Sequence, residues 1–251
     1  MQADNGVDMI KTIIAVFMFL STASILRCET TIWNRVFFLD FQYMGQAIID
    51  NPVKTGLIAG GFGAATYLLM KNDLWLSQSV RSIHNDFNDA LFNVFNNAGD
   101  GVYVLAADAL LFSLGGEKEK KTAIKVVEGL AVSGAISYVG KVVFGRERPS
   151  ATDNPGVFNW FNFSDNSYPS GHTTVAFAWA TIIGDAYGIG WITYPAAALT
   201  GIARIYKKAH WPSDVLLGAF IGVITGKIVN YEGPDVKISA VPGGLEASYK
   251  F

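Results

Sequence analysis

The chain has 251 residues, 51% of them hydrophobic and only 16% charged, with a formal net charge of -2. Soluble domains usually carry charge on about a quarter of their residues, so this composition points to the cell envelope, in or against a membrane. The slightly acidic balance argues against a nucleic-acid binder, which needs a basic face. The lone cysteine, Cys28, excludes an internal disulfide and a thiolate metal site.

The first segment reads as a targeting signal. Lys11 precedes an apolar run from Thr12 to Leu20, and Ser21-Thr22-Ala23 follows it with small residues. That is the layout of a secretory signal peptide, with an uncleaved membrane anchor as the alternative for residues 1–27. Residues 1–8 hold two aspartates and no base, so Met9 makes the better start for such a signal. Cys28 reads as an inert thiol. A lipid attachment site is the sharper alternative, and Arg27 fits it poorly, since a small residue is wanted before the cysteine.

From about residue 52 the chain reads as helices. Apolar or amphipathic runs cover Thr55 to Met70, Val102 to Leu114, Lys121 to Val143, Thr173 to Ala186, Ile192 to Tyr206 and Val215 to Val229. The expected fold is all-α, a helical bundle of about six core helices within a domain of residues 28–232. Most uninterrupted runs fall short of the roughly 20 residues that cross a bilayer comfortably, so buried core helices and membrane spans both fit. Residues 150–168 form a polar and aromatic loop with no helical period, and loops of that length are usually functional. The tail, residues 233–251, alternates polar and apolar, turns at Pro242-Gly243-Gly244 and alternates again, which predicts a small β-hairpin.

Charge concentrates in three short stretches. ARIYKKAHWPSD spaces Arg204, His210 and Asp214 as R-x5-H-x3-D. A metal site is one reading, with His210 and Asp214 four apart on a helix face. Arg204, Lys207 and Lys208 would repel the cation, and closed sites want three or four ligands. A helix boundary is a second reading, because Trp211-Pro212-Ser213-Asp214 has the proline and capping residues of a helix start. The third reading is an anion site, and two further stretches favour it. GKVVFGRERPSA sets Lys141 and Arg148 seven apart before Pro149, and SYPSGHTTVAF opens a helix with Ser170, Gly171 and His172. Ser170 suits the N-cap. Gly171 lets backbone approach closely, and the first N–H groups of the helix form an anion nest. Arginine forks match phosphate oxygens, and lysine adds a point charge. Lys207, Lys208 and Arg146 lie outside the motif positions and read as a solvated or headgroup-facing surface; His84 reads as exposed.

In this order, K-x6-R-P, P-S-G-H and R-x5-H-x3-D resemble the signature of the type 2 phosphatidic acid phosphatase family. Its superfamily also includes bacterial class A acid phosphatases and vanadium haloperoxidases. The motifs run from Lys141 to Asp214, and helical texture extends the likeness over about residues 55–232. The third motif usually begins Ser-Arg; here Ala203 precedes Arg204, and a missing hydroxyl removes a hydrogen bond worth ~1–2 kcal/mol.

The resemblance implies a phosphatase of phosphate monoesters, with no metal and no cofactor. His210 would be the nucleophile and would form a phosphohistidine. Asp214 would bond its other ring nitrogen, and His172 would act as acid and then base. Lys141, Arg148, Arg204 and the N–H groups around Ser170 and Gly171 would hold the phosphoryl oxygens. The expected partner is a phosphorylated lipid or a small phosphate ester, at or in the membrane on its extracytoplasmic face. A vanadate-dependent haloperoxidase and an inactive binding module of the same fold are the alternatives.

Overall fold

The structure, a computed structural model, describes residues 51–164, 167–230, 235–241 and 244–250; the expected targeting segment and Cys28 lie outside them. Seven helices follow one another among the described residues: α1 Pro52–Arg81, α2 Asp86–Ala98, α3 Gly101–Leu114, α4 Glu117–Phe144, α5 Gly171–Tyr187, α6 Gly190–Tyr206 and α7 Pro212–Asn230. Beyond the bundle, β1 (Asp235–Val241) and β2 (Gly244–Lys250) pair antiparallel with Val241 opposite Gly244. The all-α expectation therefore holds for the bundle, and the tail is a hairpin.

α5 is the central helix. Its buried residues are mostly small: Thr173, Thr174, Ala176, Ala178, Ala180, Thr181 and Gly184, with Ile182 and Ile183. α7 meets it with Gly218, Gly222 and Gly226, which are four apart and so share one face. A Cβ on Gly222 would stand 2.4 Å from the Thr174 carbonyl oxygen and 2.8 Å from the Ala178 nitrogen. A Cβ on Gly218 would stand 2.6 Å from the Ser170 carbonyl oxygen. Small residues allow the two backbones to touch. This contact brings the starts of α5 and α7 together, and the Ser170 N–H donates to the Asp214 carbonyl at 3.0 Å.

The larger apolar side chains fill the opposite part of the bundle, where Val104, Val126, Leu130, Ile182, Ile183 and Val229 form one cluster. α6 packs on α5 through Ala176, Ala180 and Ala197. α2 lies on α6, with Phe92 against Ala203 and Tyr206.

Two expectations change. The helices are longer than the apolar runs: α1, α4 and α7 are each long and apolar enough to cross a membrane, at 30, 28 and 19 residues. A charge ends an apolar run without ending a helix. α1 continues through Asp73 because that carboxylate is fully buried with partners of its own. α4 begins early because Glu119 reaches back to the Gly116 N–H at 2.9 Å. α2 was not expected at all. Its polar start conceals a cap, Asn85 accepting from the Asn88 N–H at 2.8 Å, and an inward face made by Phe92 and Phe95.

The backbone contact between α5 and α7 predicts unequal costs for equal substitutions. Gly222→Ala forces a methyl into backbone and should cost roughly 1–3 kcal/mol. Gly63→Ala on α1, where a Cβ meets nothing within 4 Å, should change stability by less than about 1 kcal/mol. Thermal melting in detergent checks the difference, and equal melting temperatures would refute the close packing.

Candidate active site

α4 stops at Gly145, which adopts a left-handed φ of 51°. A Cβ there would sit 1.9 Å from the Asn159 carbonyl oxygen, so the position requires glycine on two counts. The chain then leaves as the long loop expected from the sequence and folds back on the end of α4. The Asn159 N–H donates to the Gly145 carbonyl at 2.8 Å, and the Ser167 N–H donates to the Arg146 carbonyl at 3.0 Å. Phe144, Phe158, Trp160 and Tyr168 hold the loop together by ring contacts. Burial pushes the Tyr168 hydroxyl up to about 12. The fold-back returns Ser167 and Ser170 to the mouth of the bundle, near Lys141 on the last turn of α4. A Cβ on Gly171 would lie 3.7 Å from the Lys141 Cε.

His210 is 2% exposed and Asp214 is fully buried. The His210 Nδ1–H donates to the Ser167 carbonyl at 2.7 Å. A carbonyl oxygen can only accept, so the proton sits on Nδ1 and the lone pair on Nε2. The bond expected from Asp214 to this nitrogen is longer, at 3.5 Å. The Asp214 Oδ2 instead accepts from the Ser167 hydroxyl at 2.5 Å and from the Trp211 N–H at 2.7 Å. Asp214 thus caps α7, as the helix-boundary reading has it, and faces His210 at once. Burial pushes the His210 imidazole down to about 3, against the opposing pull of the Asp214 hydrogen bond.

His172 stands in the first turn of α5, with its Nε2 3.7 Å from the Asp100 Oδ2. Asp100 itself caps α3 by accepting from the Val102 N–H at 2.9 Å. Ser170 occupies the N-cap as expected, but its hydroxyl bonds the Thr173 hydroxyl at 2.9 Å rather than a backbone N–H. Arg204 pairs with Asn96 of α2, and its buried Nε has no hydrogen-bond partner among the described residues. A buried guanidinium N–H in that state is a donor suited to an incoming oxygen. Lys141, Arg148, Arg204, His172, His210 and Asp214 lie close enough to act on one another's charge. All the motif residues therefore come to one end of the bundle.

Arg146 departs from expectation. It is fully buried and ion-paired with Asp73 and Asp214, not solvated. Lys207 and Lys208 are exposed as expected, with Lys207 on Asn93. His84 is exposed and bonds Tyr206 at 2.9 Å. Ala203 is fully buried against Phe92, so this position packs α2 and a methyl suits it. Ser167, Asp100 and Asp73 carry no motif in the sequence, and Ser213 reads there only as part of a helix start. Their partners lie far along the chain, and periodicity gives no signal for such pairs.

The chain belongs to the PAP2 superfamily, whose family model matches residues 122–235, a span that takes in all three motifs. A lipid A 1-phosphatase of Porphyromonas gingivalis is 42% identical over 105 residues, which is 40% of this chain and 21% of that protein. A decaprenylphosphoryl-5-phosphoribose phosphatase of Mycobacterium tuberculosis is 32% identical over 128 residues, 50% of this chain and 69% of that one. The crystal structure of Aquifex aeolicus LpxE superposes with a TM-score of 0.53 at 28% identity, covering 62% of this chain and 93% of that one. The chain therefore spans about a fifth of the length of the Porphyromonas relative and about two thirds of the mycobacterial one.

The buried, neutral His210 has a consequence for acid stability. Folded, it takes a proton only near pH 3; unfolded, it takes one near its ordinary value of 6.5. Stability present above 6.5 is therefore lost as the pH falls towards 3. His210→Gln removes this proton uptake. Melting temperature should then fall less steeply in the variant than in the wild type between about pH 7 and about pH 4. Parallel slopes would refute the neutral burial.

Proposed function

We propose that the protein is a metal-independent phosphatase of phosphorylated membrane lipids, acting through a phosphohistidine on His210. One observation carries this reading: the Ser167 carbonyl holds the proton on Nδ1 of a buried imidazole, which leaves the Nε2 lone pair for phosphorus among Lys141, Arg148 and Arg204. In the first step Nε2 attacks phosphorus and the ester P–O bond breaks. The leaving oxygen takes a proton from His172. In the second step His172 accepts a proton from water as the water oxygen attacks phosphorus. The N–P bond breaks, and inorganic phosphate leaves. Lys141, Arg148, Arg204 and the N–H groups at the start of α5 hold the equatorial oxygens through both steps. As phosphoryl transfer develops charge on these oxygens, the unpartnered Arg204 Nε–H gains its acceptor.

A lipid substrate is supported by the three helices able to cross a membrane and by the activities for which the relatives are named. Lipid A 1-phosphate and polyprenyl phosphates head the substrate panel. Exposed lysines away from the site support one orientation, although the site end carries bases of its own, among them Lys207 and Lys208. The end of the bundle opposite the site carries Lys118, Lys120, Lys121 and Lys125 at the start of α4 and Lys227 near the end of α7. Cytoplasmic ends are rich in lysine and arginine. The site would then face out of the cytoplasm, as the export signal expected from the sequence also implies.

Purified protein should release phosphate from lipid phosphates in detergent at the same rate with and without EDTA. His210→Ala should lower turnover by about a thousandfold or more. His172→Ala should slow turnover by roughly 100–10,000-fold, with the smallest loss for esters with acidic leaving groups. Loss of activity in EDTA, or retained turnover in His210→Ala, would overturn the mechanism.

Orientation has its own test. In a Cys28→Ser background, Lys207→Cys should react with a membrane-impermeant maleimide in intact cells, and Lys120→Cys only after permeabilisation. The reverse pattern would place the site in the cytoplasm.

A further inference from the structure

One of the largest fully buried side chains in the bundle is charged and belongs to none of the three motifs. Arg146 is fully buried, and its guanidinium bridges two carboxylates. One terminal nitrogen donates to the Asp214 Oδ1 at 2.5 Å and to the Ser213 hydroxyl at 2.7 Å. The other donates to the Asp73 Oδ2 at 2.7 Å and to the Pro155 carbonyl at 2.6 Å. The Arg146 Nε also donates to Pro155, at 3.0 Å. Phe158, Tyr168 and Trp211 surround the guanidinium, with ring centroids 5.1, 5.8 and 5.7 Å from its carbon. Asp73 receives only donors: Arg146 and the Ser213 hydroxyl on Oδ2, and the Ser213 N–H on Oδ1. That set suits a carboxylate, not a carboxylic acid.

Counted without Lys141 and Arg148, which act on Asp214 from the mouth of the bundle, the charges in this cluster do not cancel. Two carboxylates share one guanidinium, which leaves one negative charge in excess beside His210. A fully buried unbalanced charge is costly unless something answers it. The phosphohistidine answers it. When Nε2 bonds phosphorus and Nδ1 keeps its proton, the ring becomes cationic, and the cluster with the ring becomes neutral. Asp73 is essential to that balance. Without its charge, Arg146 would neutralise Asp214 alone, and no excess would remain for the ring.

We propose that Asp73, on α1 and outside the span matched by the family model, is a positioning residue for the nucleophile. Through Arg146 and Ser213 it fixes the Asp214 carboxylate and supplies the negative charge that stabilises a phosphorylated His210. This rests on the phosphohistidine reading above. It also assigns α1 a part in catalysis: the helix holds one end of the clamp.

The test uses full-length protein in detergent, rapid mixing with a phosphate ester and quenching in base to preserve the acid-labile phosphoenzyme. Asp73→Asn should slow phosphoenzyme formation by roughly 10–100-fold, the scale of one charged hydrogen bond, with KM within about threefold of wild type. In an Asp214→Asn background the same substitution should slow it by less than about twofold, because the carboxylate it acts through is gone. Should Asp73→Asn fail to accumulate, Ser213→Ala keeps every charge and removes one bridge. It should slow the step by about 3–10-fold alone and by less than about twofold in the Asp214→Asn background. An unchanged rate in Asp73→Asn, or in Ser213→Ala where that variant stands in, or an equal loss in both backgrounds, would overturn the assignment while leaving the phosphohistidine intact. Absence of any phosphoenzyme in the wild type would overturn both.

Discussion

The site depends on the direct contact between the backbones of α5 and α7. Glycine at 218, 222 and 226 removes the side chains that would hold the helices apart. The approach is close enough for the Ser170 N–H to bond the Asp214 carbonyl. Two helix N-termini therefore open side by side at one end of the bundle, and each brings a histidine to its start. Helix N-termini favour anions through their free N–H groups and their dipoles. The packing thus brings two such N-termini together before any charged side chain is counted.

The charged side chains then divide into two layers. Lys141, Arg148 and Arg204 share the mouth of the bundle with His172. Behind them lies a dry layer in which Asp73, Arg146, Ser213, Asp214 and Ser167 satisfy one another. Under the proposed function the first layer answers the charge of a phosphate ester. The second, on the same proposal, answers the charge that a phosphorylated imidazole would carry.

The fold-back loop joins these layers. It begins at a glycine that no other residue could replace without collision, and it ends at Ser167 and Ser170. Its carbonyl at Ser167 selects the His210 tautomer, and its carbonyl at Pro155 holds Arg146. The loop thus holds both His210 and the buried ion pairs behind it. Its exposed rings, Trp160, Phe161 and Phe163, remain on the outer surface.

The sequence by itself determined the helical class, the positions of most helices, the hairpin and the three motifs with His172, His210 and Asp214. Those features are local. Apolar period, capping residues and short spacing each act within a turn or two of chain. The sequence also misread Arg146, which looked like one more surface base, and passed over Asp73, Ser167, Asp100 and the whole of α2. Their character comes from partners far away: 73 positions separate Arg146 from Asp73, and 43 separate Ser167 from His210. Only the tertiary structure decided that a charge between apolar runs would be buried and paired, because burial depends on what the fold brings to that charge.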